Sequence, residues 1–286
     1  IIHSHGKGAG LIGRILAILL NRKHIHTYHG IHLRCHSFLN RLCYIFYENL
    51  FKNVDSARIF VSESEKNYAI DSGISLSKIS IIIPNGVNLK ERINKSNKIK
   101  IRNNIRKKLN IESNQICVIT LARLVQQKNL KEIIEISKYF KFHKFLILGE
   151  GILRKELEDL IKTNNIKNVF LLGNKKNVFD YLIASDIYLT SSLYEGLPIA
   201  VLEAMSIGLP IIASDVVGNK DTVKHNYSGF LYSLGDIKKA CEYLEELSNN
   251  KIKRYKFGLN SKKLQKKFFS KNIMKKKYAD LYNLIN

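Results

Sequence analysis

Two carboxylates in one apolar stretch are the first residues of this chain that could do chemistry. Ser191 to Asn219 reads SSLYEGLPIAVLEAMSIGLPIIASDVVGN, with Glu195 and Glu203 separated by seven residues. Ile199, Ala200, Val201, Leu202, Ala204 and Met205 make the intervening helix apolar on nearly every side, which predicts burial. Pro198 can open that helix, because a proline there has no amide hydrogen to leave unpaired. Gly208 and Pro210 end it. A carboxylate in a buried helix is costly unless something pairs with it. The helix start beside Glu195 offers backbone amides that suit a phosphate. The pattern reads as a pocket for a phosphorylated, sugar-like ligand; the plainer reading has Glu203 as a satisfied core carboxylate and Glu195 as a loop residue.

A phosphorylated ligand needs cations. Leu121-Ala122-Arg123-Leu124-Val125-Gln126-Gln127-Lys128 starts at the end of an apolar strand and leads into a helix. Arg123 and Lys128 therefore stand at the carboxyl edge of a sheet, where Arg can fork onto a diphosphate and Lys can act as a point charge. Such a pair can neutralise a leaving group where no metal does. Two solvated surface cations are the competing reading. His29 also ends a strand, before Gly30, and ligands of open α/β sheets sit at the carboxyl ends of strands.

Other candidates carry less. Gly8-Ala9-Gly10-Leu11-Ile12-Gly13 fits G-x-G-x-x-G after a strand. A dinucleotide site also asks for an acid roughly 20 residues on, and the first acid here is Glu48. Close helix–strand packing beside a ligand cleft explains these glycines better. Of nine histidines, seven (His3, His5, His24, His26, His29, His32 and His36) fall at or before position 36. No carboxylate or cysteine-pair spacing accompanies them, so no metal site is expected.

Short apolar strands alternating with helices position these groups. Strands are expected at 1–3, 25–29, 58–61, 79–83, 116–121, 144–148, 168–172, 186–189 and 210–214. Helices are expected between them and from about 235 to the end. Continuous apolar strands of this kind form parallel sheets covered on both faces. Two such blocks joined near residue 95 predict an α/β chain of two Rossmann-like, doubly wound domains. Lys90 to Lys108 reads as a linker plus a surface helix.

Length and composition agree. The 286 residues suffice for two domains, and 45% hydrophobic content supports a full core. The net charge is +23. Residues 90–108 hold nine basic residues and one acid, Glu91. Eight lysines fall between Lys262 and Lys277, interleaved with Phe268, Phe269, Ile273 and Met274. A basic amphipathic helix there would suit an anionic membrane surface; a solvated face, or nucleic acid without a recognisable binding motif, are the alternatives. The four cysteines show no CxxC pairing and no apolar run is long enough for a membrane span, so a cytoplasmic, at most peripheral, protein is expected.

Together HSHGKGAGLIGR, TYHGIH, FVSESEK, IIPNGVN, ARLVQQKNL, LGEGILRKELE and SSLYEGLPIAVLEAMSIGLPIIASD resemble the retaining glycosyltransferases of the GT-B fold, glycosyltransferase family 4. The ordered set spans nearly the whole chain, and Glu195 with Glu203 matches the family's E-x7-E element. The resemblance implies that residues 1–95 form a partial N-terminal, acceptor-side domain. It assigns 96–268 to a nucleotide-sugar-binding domain and 269–286 to a basic helix that crosses back. The first strand–helix units of the family's N-terminal domain are absent, so an N-terminally truncated chain is expected.

By position, the resemblance makes Glu195 the carboxylate on the donor sugar hydroxyls and Glu203 the one on the ribose. Arg123 and Lys128 become the diphosphate clamp and His29 the histidine near the transferred sugar. Backbone around Gly196, Leu197 and Ile199 would hold sugar and phosphate oxygens. The implied reaction moves a sugar from a nucleoside-diphosphate sugar to a saccharide or lipid-linked saccharide with retention, without cofactor or metal. A half-enzyme that binds the nucleotide sugar and needs a partner chain is the second reading; a basic nucleic-acid-binding protein is a weaker third.

Overall fold

A computed structural model describes residues 1–33, 37–88 and 94–285. Cys35, His36 and the first part of the expected linker lie outside them. The first sheet is parallel, in the order β1 (Ile2–His5), β2 (His24–Thr27), β3 (Asp55–Phe60) and β4 (Ile79–Ile82). Its helices are α1 (Gly6–Leu19), α2 (Phe38–Leu50) and α3 (Glu63–Asp71). Alternation along β3 separates the two faces. Ala57 and Ile59 point to one core, whereas Phe60 packs with Tyr28, Ala69 and Ile74 on the other.

The second sheet contains β5 (Cys117–Leu121), β6 (Lys144–Leu148), β7 (Val169–Gly173), β8 (Ile187–Thr190), β9 (Ile211–Ser214) and β10 (Gly229–Tyr232). All its pairings are parallel, in the order β10-β9-β8-β5-β6-β7. From β5 the chain winds outward to β7, then returns to β8 and winds the other way. The order therefore reverses between β5 and β8, and ligands of open α/β sheets bind at such a switch point. The helices of this domain are α4 (Lys95–Lys108), α5 (Leu130–Ser137), α6 (Arg154–Thr163), α7 (Val178–Ala184), α8 (Ile199–Ile207), the short α9 (Asn219–Thr222), α10 (Ile237–Asn249) and α11 (Lys251–Phe268). Strand β10 has no counterpart in the expected pattern. Gly229 occupies its first position because an added Cβ would lie 2.0 Å from the Ile211 carbonyl oxygen, so glycine here marks close strand approach rather than a turn.

Three expectations are modified. Helix α4 is not merely a basic surface helix. Arg102 and Arg106 bond Asp186 at 2.5 and 3.1 Å and cap carbonyls at the end of α7, which ties α4 to the second domain. The lysine-rich tail is two helices, α11 and α12 (Lys271–Ile285), broken at Phe269–Ser270. Phe269 is buried there, and its backbone pairs with Val87. Helix α12 lies on the Ala57/Ile59 face of the first sheet, where Leu281 and Ile285 join its core. In α8 the side chain of Ile199 is 54% exposed, because it stands on the first turn, before the helix enters the core.

The glycines of G-x-G-x-x-G are all inside α1, which starts at Gly6. A Cβ on Gly10 would lie 2.7 Å from the His26 ring, and one on Gly13 would lie 2.8 Å from the His24 ring. They serve helix–strand packing. Beneath α1 the fully buried Arg14 pairs with Glu48 and Asp55, both at 2.8 Å, and Arg58 also bonds Asp55 at 2.8 Å. That cluster holds α1, α2 and β3 together.

Candidate active site

The carboxyl ends of both sheets open on one cleft. β2 delivers Tyr28, His29 and Gly30, and β5 delivers Arg123. A 3-10 turn over Gln126–Lys128 turns Lys128 back towards the loop after β8, which carries Glu195. A cavity of about 400 Å³ is lined by His29, Arg123, Lys128, Glu195 and Gly196, together with Gly6, Lys7, Tyr28, Gly30, His32, Tyr44 and Gln127. Lys128 Nζ donates to Glu195 Oε1 at 2.5 Å, so the expected clamp cation and sugar carboxylate are direct partners. Gln127 fixes the same loop by donating to the Tyr194 carbonyl at 2.9 Å.

Leu197, Ile199 and Glu203 do not line this cavity. Leu197 is buried in the core of the second domain, and its carbonyl accepts from Asn85 Nδ2 at 3.0 Å. Glu203 is half-buried on α8, and burial pushes its carboxyl up. The sequence places it on an inward helical face, and the fold puts it on α8, the helix that follows the Glu195 loop.

The loops from the two domains meet backbone to backbone. A Cβ on Gly196 would stand 2.8 Å from the Gly30 nitrogen, so only glycine allows this approach. Ser62 Oγ donates to the Gly196 carbonyl at 3.0 Å, and the backbone nitrogen of Ser64 donates to Asp221 at 3.1 Å. Helix α3 thus presents its N-terminal turn to the Glu195 loop from across the cleft.

Two groups escaped the sequence. Glu65 follows Ser62 in the S-x-x-E spacing of a capping box, which would direct its carboxylate to the Ser62 amide. Instead it accepts from Gly30 and Val61, at 2.5 and 2.9 Å, and so holds the backbone that follows His29. Burial raises its carboxyl to about 7, against the backbone hydrogen bonds that favour the charged form. The other is His5. Its Nδ1 and His29 Nε2 are 2.9 Å apart, and the rings stack at 5.2 Å. His5 also stacks on His3 at 4.3 Å. Burial first, then the neighbouring His5, keeps His29 below the usual histidine range. Strand alternation groups His3 with His5, but only the fold brings His29 beside them. Among the described residues no cluster of histidine, cysteine and carboxylate has metal-holding geometry.

Residues 101–264 match the model of the group 1 glycosyl transferases and residues 1–91 that of glycosyltransferase family 4. The chain belongs to the family 4 glycosyltransferases. Its relatives in that family include the Escherichia coli UDP-Gal:alpha-D-GlcNAc-diphosphoundecaprenol alpha-1,3-galactosyltransferase, 32% identical over 99% of this chain and 74% of the relative. The Staphylococcus aureus capsular polysaccharide biosynthesis glycosyltransferase CapM is 26% identical over 99% of this chain and 76% of its own length. Among solved structures, Anabaena HepE in complex with UDP and glucose superposes with a TM-score of 0.87 at 19% identity, covering 99% of this chain and 77% of HepE. The fold is therefore GT-B, and the family 4 enzyme described here is a sugar transferase with its cleft between two parallel sheets.

Proposed function

We propose that this glycosyltransferase moves a sugar from a uridine-diphosphate sugar to a saccharide carried on a polyisoprenyl diphosphate, with retention at the anomeric carbon. The observation that carries the reading is the shared cavity of Arg123, Lys128, Glu195 and His29 at the switch point of the second sheet. The Escherichia coli relative supports the donor base and the lipid-linked acceptor by the substrates in its name.

In this reading the diphosphate lies against Arg123 and Lys128, and the sugar lies between Glu195 and His29. Departure of the diphosphate leaves an oxocarbenium-like centre, and the two cations stabilise the charge developing on the leaving oxygen. Lys128 then divides its charge between Glu195 and the diphosphate. The acceptor hydroxyl attacks from the face the diphosphate leaves, and a phosphate oxygen takes its proton. No protein nucleophile and no metal take part.

Purified protein is given a panel of uridine-diphosphate sugars with a diphosphoundecaprenol-linked saccharide, with and without EDTA. Release of uridine diphosphate coupled to acceptor elongation, indifferent to EDTA, is expected. Replacing Arg123 with alanine should cut turnover by about 10²-fold or more, the scale of losing one preorganised charge contact. Donor binding without elongation would instead favour the half-enzyme reading, and near-normal turnover of the alanine variant would remove Arg123 from the clamp.

A further inference from the structure

Glu65 stands where the two halves of the cleft meet. It is fully buried, yet its carboxylate reaches backbone outside its own helix: Oε1 accepts from the Gly30 amide at 2.5 Å and Oε2 from the Val61 amide at 2.9 Å. Gly30 follows His29 directly and has a φ of +117°, a conformation open to glycine, which brings no side chain of its own to fix it. The Gly196 loop closes on the same Gly30 nitrogen, 2.8 Å from where a Gly196 Cβ would stand. Ser62 ties the same turn to that loop: its Oγ accepts from the Glu65 amide at 3.2 Å and donates to the Gly196 carbonyl at 3.0 Å. The carboxylate therefore holds the peptide after His29 on one side and backs the stop for Gly196, next to Glu195, on the other.

The bond pair selects the charged form. An ionised carboxylate meets two amide donors with two bare oxygens; a proton on either oxygen competes with an amide, and a carboxamide would set its own N–H against one. Burial opposes the charge and raises the carboxyl to about 7, while the amides of Val61, Gly30 and Ile31 favour it and Asp221, from α9 of the second domain, raises it further. On α3 itself Glu63 is exposed and Lys66 half-buried. The hold on Gly30 is therefore complete above neutral pH and weakens below it.

We propose that Glu65 is a positioning residue for sugar transfer: its ionised carboxylate holds the Gly30 peptide, keeps His29 and Glu195 in register across the cleft, and lets go on protonation. Glu65 does not line the cavity, so it acts through that peptide and not on the substrate. The consequence for turnover rests on the transferase reading above; the hold on Gly30 does not.

The hold is read by nuclear magnetic resonance on the full chain with isotope-labelled glycine and no substrate present. The Gly30 amide signal should shift as pH passes about 7, and Glu65→Gln should abolish that step. Turnover is read with a uridine-diphosphate sugar and a diphosphoundecaprenol-linked saccharide. Wild-type kcat should rise through the same pH, above the lower limb that protonation of His29 sets. Glu65→Gln should lower kcat about tenfold or more, the scale of losing a hydrogen bond to a charged group, and remove the upper step while affinity for uridine diphosphate holds. Glu65→Asp keeps the charge and should recover part of both. The proposal is overturned if the wild-type Gly30 amide does not titrate, a result that needs no variant to fold, or if its step survives in Glu65→Gln. It is equally overturned if Glu65→Gln turns over like the wild type, or loses uridine diphosphate affinity as much as kcat. A wild type that titrates at Gly30 but transfers nothing would sink the transferase reading and leave the hold standing.

Discussion

At the residue scale the cleft works through contacts that fix ring and backbone orientation. His5 is 2.9 Å from His29 and stacks on it, so it selects the tautomer and plane that His29 presents to the cleft. His5→Phe keeps a ring and removes the hydrogen bond. Loss of about 1–2 kcal/mol should lower kcat roughly five- to thirty-fold and leave the donor KM nearly unchanged. A histidine with a lowered pKa stays neutral at neutral pH, and protonation cuts activity as pH falls. Removing the neighbouring His5 charge should therefore shift the acid limb of the pH–rate profile to higher pH; an unmoved limb would sink the positioning role. The types and order of Arg123, Lys128 and Glu195 were legible in the sequence, since each follows an apolar strand. Their meeting with His29 was implied only by the family resemblance, because His29 belongs to the other sheet and no spacing records it. Glu65 is spaced from Ser62 as at a helix start, and the sequence does not show that it reaches the Gly30 amide, 35 residues away, as well as the nearby Val61 amide.

At the element scale, the approach of the two loops at the cleft floor is what joins the halves of the site. Gly196 leaves room for the Gly30 backbone, while Ser62 and Ser64 at the start of α3 bond the Gly196 carbonyl and Asp221. Gly196→Ala sets a methyl group against peptide backbone, which cannot rotate aside. Overpacking of this kind costs about 1–3 kcal/mol. The variant should lose much of its turnover while donor affinity, which the proposed clamp of Arg123 and Lys128 places mainly in the second domain, falls less. Steady-state kinetics beside isothermal titration with uridine diphosphate would show this, and equal losses in both would contradict it. Strands and helices of the second domain were readable because parallel strands buried on both faces give plain apolar runs. Strand β10 escaped because its four residues, GFLY, follow a turn and open on a glycine. The lysine pattern alone hid the break between α11 and α12, which only the resemblance placed after residue 268; packing of Phe269 and Leu281 into two different cores sets it.

At the scale of the whole molecule, the first domain couples stability to protons. Burial chiefly holds His26 at about 3, with the Arg14 charge adding to it. Burial also holds His3 at about 4, where an exposed histidine would be 6.5. His5 and His29 are lowered too. In the unfolded chain these rings take up protons near their ordinary value, so their contribution is present above that value and lost as pH falls towards the folded ones. Glu65 has the opposite sign: its raised carboxyl favours the fold below the ordinary carboxylate value and loses that advantage as pH rises through about 7. With His143 also lowered by burial, five lowered histidines outweigh the three raised carboxyls of Glu65, Glu132 and Glu203, so the melting temperature should drop between pH 7 and pH 5. Calorimetry reporting an equal or higher value at pH 5 would refute this balance.

The sequence by itself determined the α/β alternation, the two-domain division and the chemistry on offer: cations and carboxylates after apolar strands, and a histidine before Gly30. These are local properties, written in the period of apolar residues and in the residue types that end strands. Tertiary structure alone decided which of those groups share a cavity. It paired Lys128 with Glu195, brought His5 beside His29, and turned the leucines of α1 and α2 outward. Each outcome depends on contacts between segments distant in the chain, and a linear pattern records a side chain's character but not the neighbour it will meet.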